Sequence, residues 1–309
     1  MPKRLPQGQQ CPRKQLSSAG LLKECRKCDI IQKNIDDSLF FEVLFKMRNL
    51  FERFISDIKK YYRYSVVSAA SQLKSEVANS YLNWIWWILE PFCFMLIYSF
   101  IFGYVYNSRE QYFSAYIFVG LSMWTFFNKT LQASVTTIKK NKTLVSKVYF
   151  PKFILLLVKI WVNAFKMLVS FGIVVLMMVF LRIPISWNVF FFVPILVILA
   201  LLTFGCGCFL MHYGVYVNDL SNVISIVMKM MFYLTGIFYH LEKRIPTYGV
   251  ILNRYNPAAF LISSMRQCLL YGETPNCAGL LIWFAVSLLI AVAGIRKIYK
   301  EENSYVKVI

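Results

Sequence analysis

The chain has 309 residues, 58% of them hydrophobic and 16% charged, with 34 Lys and Arg against 15 Asp and Glu and a formal net charge of +19. A soluble domain carries about 25% charged and about 45–50% apolar residues, so the composition excludes an ordinary soluble fold, and with it a soluble basic face for nucleic acid. The apolar excess falls in long blocks, as in a chain solvated by lipid, and the cationic excess reads as positive cytoplasmic loops.

Residues 1–46 are polar, mixed in charge and without period, and read as a disordered extension; Met47 is an alternative start. Cys25 and Cys28 form a lone C-x-x-C with no second ligand pair at zinc spacing, so no metal site is expected. Residues 47–83 form a cytoplasmic interface segment. Within it Phe51, Phe54, Ile55 and Ile58 recur at helical spacing, with Glu52, Arg53, Asp57, Lys59 and Lys60 on the other face. That pattern predicts an amphipathic helix on the inner membrane surface.

Six apolar runs follow within residues 84–300: Trp84–Tyr106, Tyr112–Val135, Phe153–Leu181, Trp187–Val217, Val223–Tyr239 and Ala278–Ile295. The first is about 35 Å long as a helix, enough to cross roughly 30 Å of hydrocarbon. All are too long for strands, and no secretory signal peptide is expected ahead of them. Fifteen Lys and Arg precede Trp84, five (Lys139, Lys140, Lys142, Lys147, Lys152) follow the second run, and Arg296, Lys297, Lys300 and Lys307 close the chain, whereas the loops after the first and third runs hold one each, Arg109 and Arg182. The positive-inside rule then places both termini, including the tail 301–309, in the cytoplasm. The expected fold is an all-α integral membrane protein with six transmembrane helices, N-in and C-in. Between the fifth and sixth runs, Pro246 and Pro257 break a moderately apolar stretch into a pair of short re-entrant helices, with an ordinary outer loop as the alternative. Cys268 and Cys277 fall there, either as free thiols or as a disulfide.

Phosphate-loop and H-E-x-x-H signatures are missing, the spans hold no paired carboxylates, and the two His, His212 and His240, stand alone. No enzyme activity and no cofactor bound by the chain are expected. Glu90, Lys129, Lys159, Lys166 and Lys229 are charges inside apolar runs, where each costs a few kcal/mol unless it reaches water or a partner. Lys166 lies about 20 Å into its helix, too deep to snorkel easily, and is assigned with Lys229, Glu90 and Trp124 to a translocation path. Snorkelling, or pairing with Glu90, is the alternative for the set, and core packing is the alternative for Trp124.

An ordered set of motifs spans roughly residues 50–300. It runs from Leu73-Lys74, Ser80-Tyr81-Leu82, Trp84, Pro91 and Phe102-Gly103 to Gly120-Leu121, Trp124 and Phe127. Its most specific stretch is Asn141-Lys142-x-Leu144-Val145-x-Lys147-Val148-Tyr149-Phe150-Pro151. Asn218-Asp219-Leu220, Thr235-Gly236-Ile237-Phe238-Tyr239, Tyr255-Asn256-Pro257-Ala258, Arg266 and Leu270-Tyr271-Gly272 complete it. The set resembles the permease subunits of ABC-2 type polysaccharide exporters, which move teichoic acid, O-antigen and capsular polymers. The chain departs from that pattern at Asn83, Asn218 and Thr235-Gly236, where the family usually has Gly, Arg and Ser-Pro. The resemblance implies a homodimer in the cytoplasmic membrane, paired with separate ATPase subunits that hold ATP and Mg, and acting on a lipid-linked glycan. It also implies a coupling helix near Thr137–Tyr149, with Ile138, Asn141, Leu144, Val145, Lys147, Val148 and Tyr149 meeting the ATPase. Phe150, Pro151, Asp219, Asn256, Pro257 and Arg266 are its motif residues. An ABC-2 permease for a drug or lipid is the nearest alternative; a membrane-embedded glycan-modifying enzyme is the alternative of another class.

Overall fold

The computed structural model describes residues 48, 50–78, 85–105, 112–184, 186–239 and 246–308. The extension 1–46, Met47, Ser80–Trp84, Arg109 and His240 lie outside the described residues. All regular structure among the described residues is helical. The chain divides into two compact units, Met1–Ser56 and Asp57–Ile309. Of the first, residues 48 and 50–56 are helical, with Phe51 and Ile55 exposed and Phe54 half-buried.

The second unit is a helical bundle. Helix α1 covers residues 57–77, with Ile58 half-buried. Helix α2 is Trp86–Tyr98 and continues as a π-helical stretch, Ser99–Val105. Helix α3 is Phe113–Lys140, α4 is Lys142–Lys147 and α5 is Phe153–Phe180. A 3-10 turn, Trp187–Phe191, leads into α6, Phe192–Tyr216; α7 is Leu220–Leu234. Two short helices follow, α8 (Pro246–Tyr255) and α9 (Pro257–Arg266), the latter prolonged by a π-helical turn to Tyr271. Helix α10, Cys277–Val308, ends the chain.

Among the described residues, four segments are long and apolar enough to cross a membrane: Trp86–Gly103, Phe153–Phe180, Trp187–Tyr216 and Cys277–Glu302. The second expected span, α3, has 28 residues, about 42 Å of helix, but its sequence is interrupted by Ser, Thr, Asn, Gln and Lys. Its burial explains this. Residues 115–124 of α3 are all buried, because the helix is enclosed by α2, α5, α6 and α7 and meets protein rather than lipid. The fifth expected span, α7, has 15 residues, about 22 Å of helix, and ends at Leu234. The chain there turns through Gly236, at a φ of 66° that suits a residue without Cβ.

Small residues let the central helices approach. A Cβ at Gly205 of α6 would stand 2.7 Å from the amide nitrogen of Ala291 on α10, and one at Gly294 would stand 2.8 Å from the Cys208 side chain. One at Gly214 would overlap the Val135 carbonyl of α3. Backbone approach through Gly, Ala and Cys is how helices associate where no water drives them together.

Ring and polar contacts fix which helix ends share a pole. Lys139 at the end of α3 donates to Asn218 in the α6–α7 turn, and Phe153 at the start of α5 packs on Tyr299 near the end of α10. At the opposite pole, Asn188 before α6 donates to the Gly272 carbonyl after α9, and Tyr98 and Phe102 of α2 pack on Phe238 after α7. Helices α2, α3, α5, α6, α7 and α10 therefore alternate in direction. The first pole collects Lys139, Lys140, Lys142, Lys147, Lys152, Arg296, Lys297 and Lys300, while the second carries Arg182, Arg254 and the buried Arg266.

The stretch expected to hold short helices between the last two spans does hold them, as α8 and α9. Ala258, Ala259, Leu261, Ile262, Ser264, Met265 and Arg266 of α9 are buried against α3 and α6, so α9 is embedded rather than draped over the surface. Cys268 and Cys277 are free thiols, which removes the disulfide alternative. The Cys268 thiol points inward and donates to the Met265 carbonyl, while Cys277 is exposed at the start of α10.

Candidate functional site

Three arrangements gather the residues singled out in the sequence. The first is a charged cavity between α2, α3 and α5. Trp87, Glu90 and Pro91 line it from α2, Ser122, Thr125, Phe126 and Lys129 from α3, and Asn163, Lys166, Met167 and Ser170 from α5. Its volume is about 70 Å³. Lys129 donates to both Glu90 carboxylate oxygens, at 3.0 and 3.1 Å. Lys166 pairs with Glu76 of α1, its ammonium 6.0 Å from the centre of the Trp87 ring. Lys159 donates to Gln72 Oε1 at 2.9 Å, and Asn163 donates to Thr130 Oγ1 at 3.0 Å. Ala69 of α1 packs on Val158 and Val162 in the same stretch. Helix α1 thus supplies partners for two of the cations that the apolar runs left without any.

Two residues assigned to the path lie elsewhere. Trp124 does not line the cavity: it is buried against Phe127 and Phe232, with ring centres 6.0 and 5.8 Å apart, and packs α3 on α7. Lys229 is exposed on α7, away from the cavity lining. Glu76 and Gln72 were missed because neither interrupts an apolar run; the available signal was the polar row Ser68, Ser71, Gln72, Ser75, one face of a helix.

The second arrangement is the basic pole around α4. The apolar ridge expected there is split. Ile138 and Val145 are buried at 1% and 3% exposure and anchor the loop to the bundle, so they do not present themselves to a partner. Leu144 is half-buried, while Val148 and Tyr149 are 51% and 69% exposed beside the exposed Lys142 and Lys147. Asn141 turns the chain, its Nδ2 donating to the Thr137 carbonyl at 2.7 Å. Phe150, Pro151 and Lys152 are buried behind this surface, the Lys152 ammonium 4.8 Å from the Phe150 ring centre. Burial lowers the Lys152 pKa from its ordinary value, and the charge of Glu302 opposes that shift. Close by, His212 Nδ1 and Tyr305 Oη share a hydrogen bond of 2.9 Å, and burial pushes the Tyr305 hydroxyl up, which keeps it protonated. Asp219 is exposed in the α6–α7 turn of the same pole.

The third arrangement is a knot at the opposite pole. The Asn256 side chain caps α9, accepting from the Ala258 and Ala259 amides, with Pro257 at the first helical position. Its Nδ2 reaches Thr235 Oγ1 at 3.4 Å. Arg266, 2% exposed, donates Nε to the Tyr116 carbonyl, Nη1 to that of Gly236 and Nη2 to that of Ile237, at 3.1, 3.1 and 2.8 Å. Its guanidinium carbon sits 3.5 Å from the centre of the Tyr116 ring. A Cβ at Gly120 would collide with this guanidinium. Asn256, Pro257 and Arg266 are therefore structural: they tie the segment after α7 to α3 and α9. No group of His, Cys, Asp and Glu among the described residues could hold a metal ion.

Residues 66–270 match the ABC-2 type transporter family. The chain is similar to the O-antigen export system permease protein RfbA of Klebsiella pneumoniae, 23% identical over 79% of this chain and 94% of that protein. Its likeness to the protein of the same name from Myxococcus xanthus is 25% over 81% and 97%. It is 22% identical to the polysialic acid transport protein KpsM of Escherichia coli, over 73% of this chain and 89% of that one.

Proposed function

The chain belongs to the ABC-2 type transporter family, and from that premise we propose that it is the membrane-spanning permease subunit of an ATP-driven exporter of lipid-linked polysaccharide. The observation that carries the reading is α4: a six-residue helix between two long bundle helices, standing at the basic pole with Val148 and Tyr149 exposed beside Lys142 and Lys147. A 69% exposed Tyr next to lysines is an anchor for a protein partner, since aromatic side chains dominate interface energies. The partner is a separate ATPase subunit, which holds ATP and Mg; this chain moves the glycan and transforms nothing. Its substrate class follows the relatives named for O-antigen and polysialic acid export.

In this reading α2, α3, α5, α6, α7 and α10 are six spans, with α8 and α9 as a re-entrant pair. The basic pole and both termini are cytoplasmic in the cell membrane, and two copies form the working permease. The polar α3 crosses because protein encloses it, and α7 crosses with help from the turns after Leu234. Glu90 and Lys166 face the path.

Co-purification with the ATPase subunit tests the proposal. Val148→Asp together with Tyr149→Asp is expected to abolish it, along with polymer export, while leaving the permease folded. Wild-type recovery of the ATPase with this double variant would overturn the docking assignment. Modification of a glycan by the purified chain alone would overturn the transport reading.

A further inference from the structure

A hollow of about 740 Å³ lies between α8, α9 and the first turns of α10, at the pole opposite α4. Asn253 and Arg254 of α8, Ser263 and Gln267 of α9 and its π-helical turn, and Asn276 and Trp283 around the start of α10 supply its polar groups. No carboxylate lines it, so Arg254 carries the only charge among the lining residues. Helix α10 orients the Asn276 amide: its Oδ1 accepts from the Gly279 amide at 3.0 Å, which turns the Nδ2 outward as a donor. A Cβ at Gly279 would collide with the Phe260 ring, so α9 and α10 meet at one wall. Val250 and Ile282 line the hollow and yet are 50% and 60% exposed, so they stand at its mouth and make that mouth apolar.

We infer that this hollow binds the head of one anionic glycerophospholipid, with Arg254 on its phosphodiester. Size, charge and the mouth each select that ligand. The volume falls within the roughly 300–1,000 Å³ of small-molecule sites, enough for a lipid head and its glycerol. A single guanidinium matches the single negative charge of a phosphodiester, as a charge-assisted contact. A choline or ethanolamine head would bring a second cation into a hollow that offers it no carboxylate, whereas a glycerol head brings only hydroxyls. The Asn276 and Gln267 amides and the Trp283 indole N–H are donors suited to those hydroxyls and to the ester oxygens. The apolar mouth opens beside α10, a helix long and apolar enough to span a bilayer, so the two acyl chains leave the hollow directly into hydrocarbon. A glycan arriving from water would meet that apolar rim first. A bound lipid would bridge α8 to α10 and brace α9, whose Arg266 holds the Gly236 and Ile237 carbonyls after α7.

The test uses the full chain with its ATPase subunit, reconstituted in vesicles of phosphatidylcholine with a minority of phosphatidylglycerol. Bromine placed in the acyl chains of one lipid or the other quenches nearby tryptophan fluorescence, and the part of the quenching lost in Trp283→Phe reports this hollow. Phosphatidylglycerol is expected to outcompete phosphatidylcholine there by about tenfold or more, the size of one hydrogen-bonded contact to a charged group. Arg254→Gln is expected to abolish that preference and Arg254→Lys to keep part of it. Arg254 is exposed at the end of α8, so both variants are expected to unfold at the wild-type temperature in phosphatidylcholine alone. Equal quenching by the two lipids in the wild type, or a preference that survives Arg254→Gln, overturns the inference. Displacement of the brominated lipid by water-soluble glycerophosphoglycerol overturns the lipid as source in favour of a free phosphodiester, and displacement by a neutral oligosaccharide overturns it in favour of a glycan. The inference needs only that the chain sits in a membrane, so its failure leaves the permease reading intact, and loss of the ATPase subunit from the wild type would sink that reading alone.

Discussion

Removing the Arg266 guanidinium tests the knot at the pole opposite α4. The side chain makes three hydrogen bonds to the carbonyls of Tyr116, Gly236 and Ile237 and stacks on the Tyr116 ring. Hydrogen bonds from a charged donor contribute about 1.5–3 kcal/mol each. Their sum overstates the loss, because Arg266→Met also relieves the cost of burying a charge. A net destabilisation of about 3–5 kcal/mol is the reasonable figure, which for a domain of about this size corresponds to roughly 10 °C in unfolding temperature. Arg266→Lys is expected to recover little, since one ammonium cannot reproduce a planar fork aimed at three acceptors. The assay is thermal unfolding of the purified chain in detergent, alongside limited proteolysis of the segment after α7, which the variant should expose. If Arg266→Met unfolds within about 2 °C of wild type with that segment still protected, the knot holds nothing together and the reasoning fails.

Gly205→Leu is expected to separate α6 from α10 and lower the unfolding temperature more than Leu→Ala changes at the exposed Leu281 or Leu289, as the same thermal assay will measure. Maleimide labelling of intact protein is expected to modify Cys277 rapidly and Cys268 only after unfolding, with no mass change on reduction. Val145→Asp is expected to reduce folded yield by burying a carboxylate, a different failure from the Val148→Asp/Tyr149→Asp variant, which should fold and lose its partner; size-exclusion profiles distinguish the two. Lys152→Met is expected to cost about 3–5 kcal/mol, because it leaves the Glu302 charge buried, and adding Glu302→Gln should restore part of that, a coupling that a double-mutant cycle reads directly.

What could be read from the chain alone depended on what each helix faces. Helices that meet lipid on one side announce themselves: α5 and α6 appear close to their expected bounds, and α10 begins at its expected start and runs on past Ile295 to Val308, because lipid demands continuous apolar sequence and the polar end of α10 lies beyond that demand. Helix α3 obeys a different solvent. Its Ser122, Thr130, Ser134 and Thr137 are buried in protein, and Ser122, Ser134 and Thr137 donate to carbonyls of their own helix. Hydropathy therefore registers α3 only faintly, although it is the most enclosed helix of the bundle. The knot was visible as an ordered motif, but its purpose was not: nothing in the spacing of Gly120, Gly236 and Arg266 says that one residue is small so that another can reach a third.

The charged cavity shows the same limit from the other side. Counting Lys166 as a lone cation about 20 Å into a helix treats the membrane as its surroundings, and by that count the residue must face a path. The fold brings Glu76 to it from 90 positions away along the chain. The charge cost that made Lys166 conspicuous is thus met, in this conformation, by a carboxylate on a helix that carries no apolar run of its own.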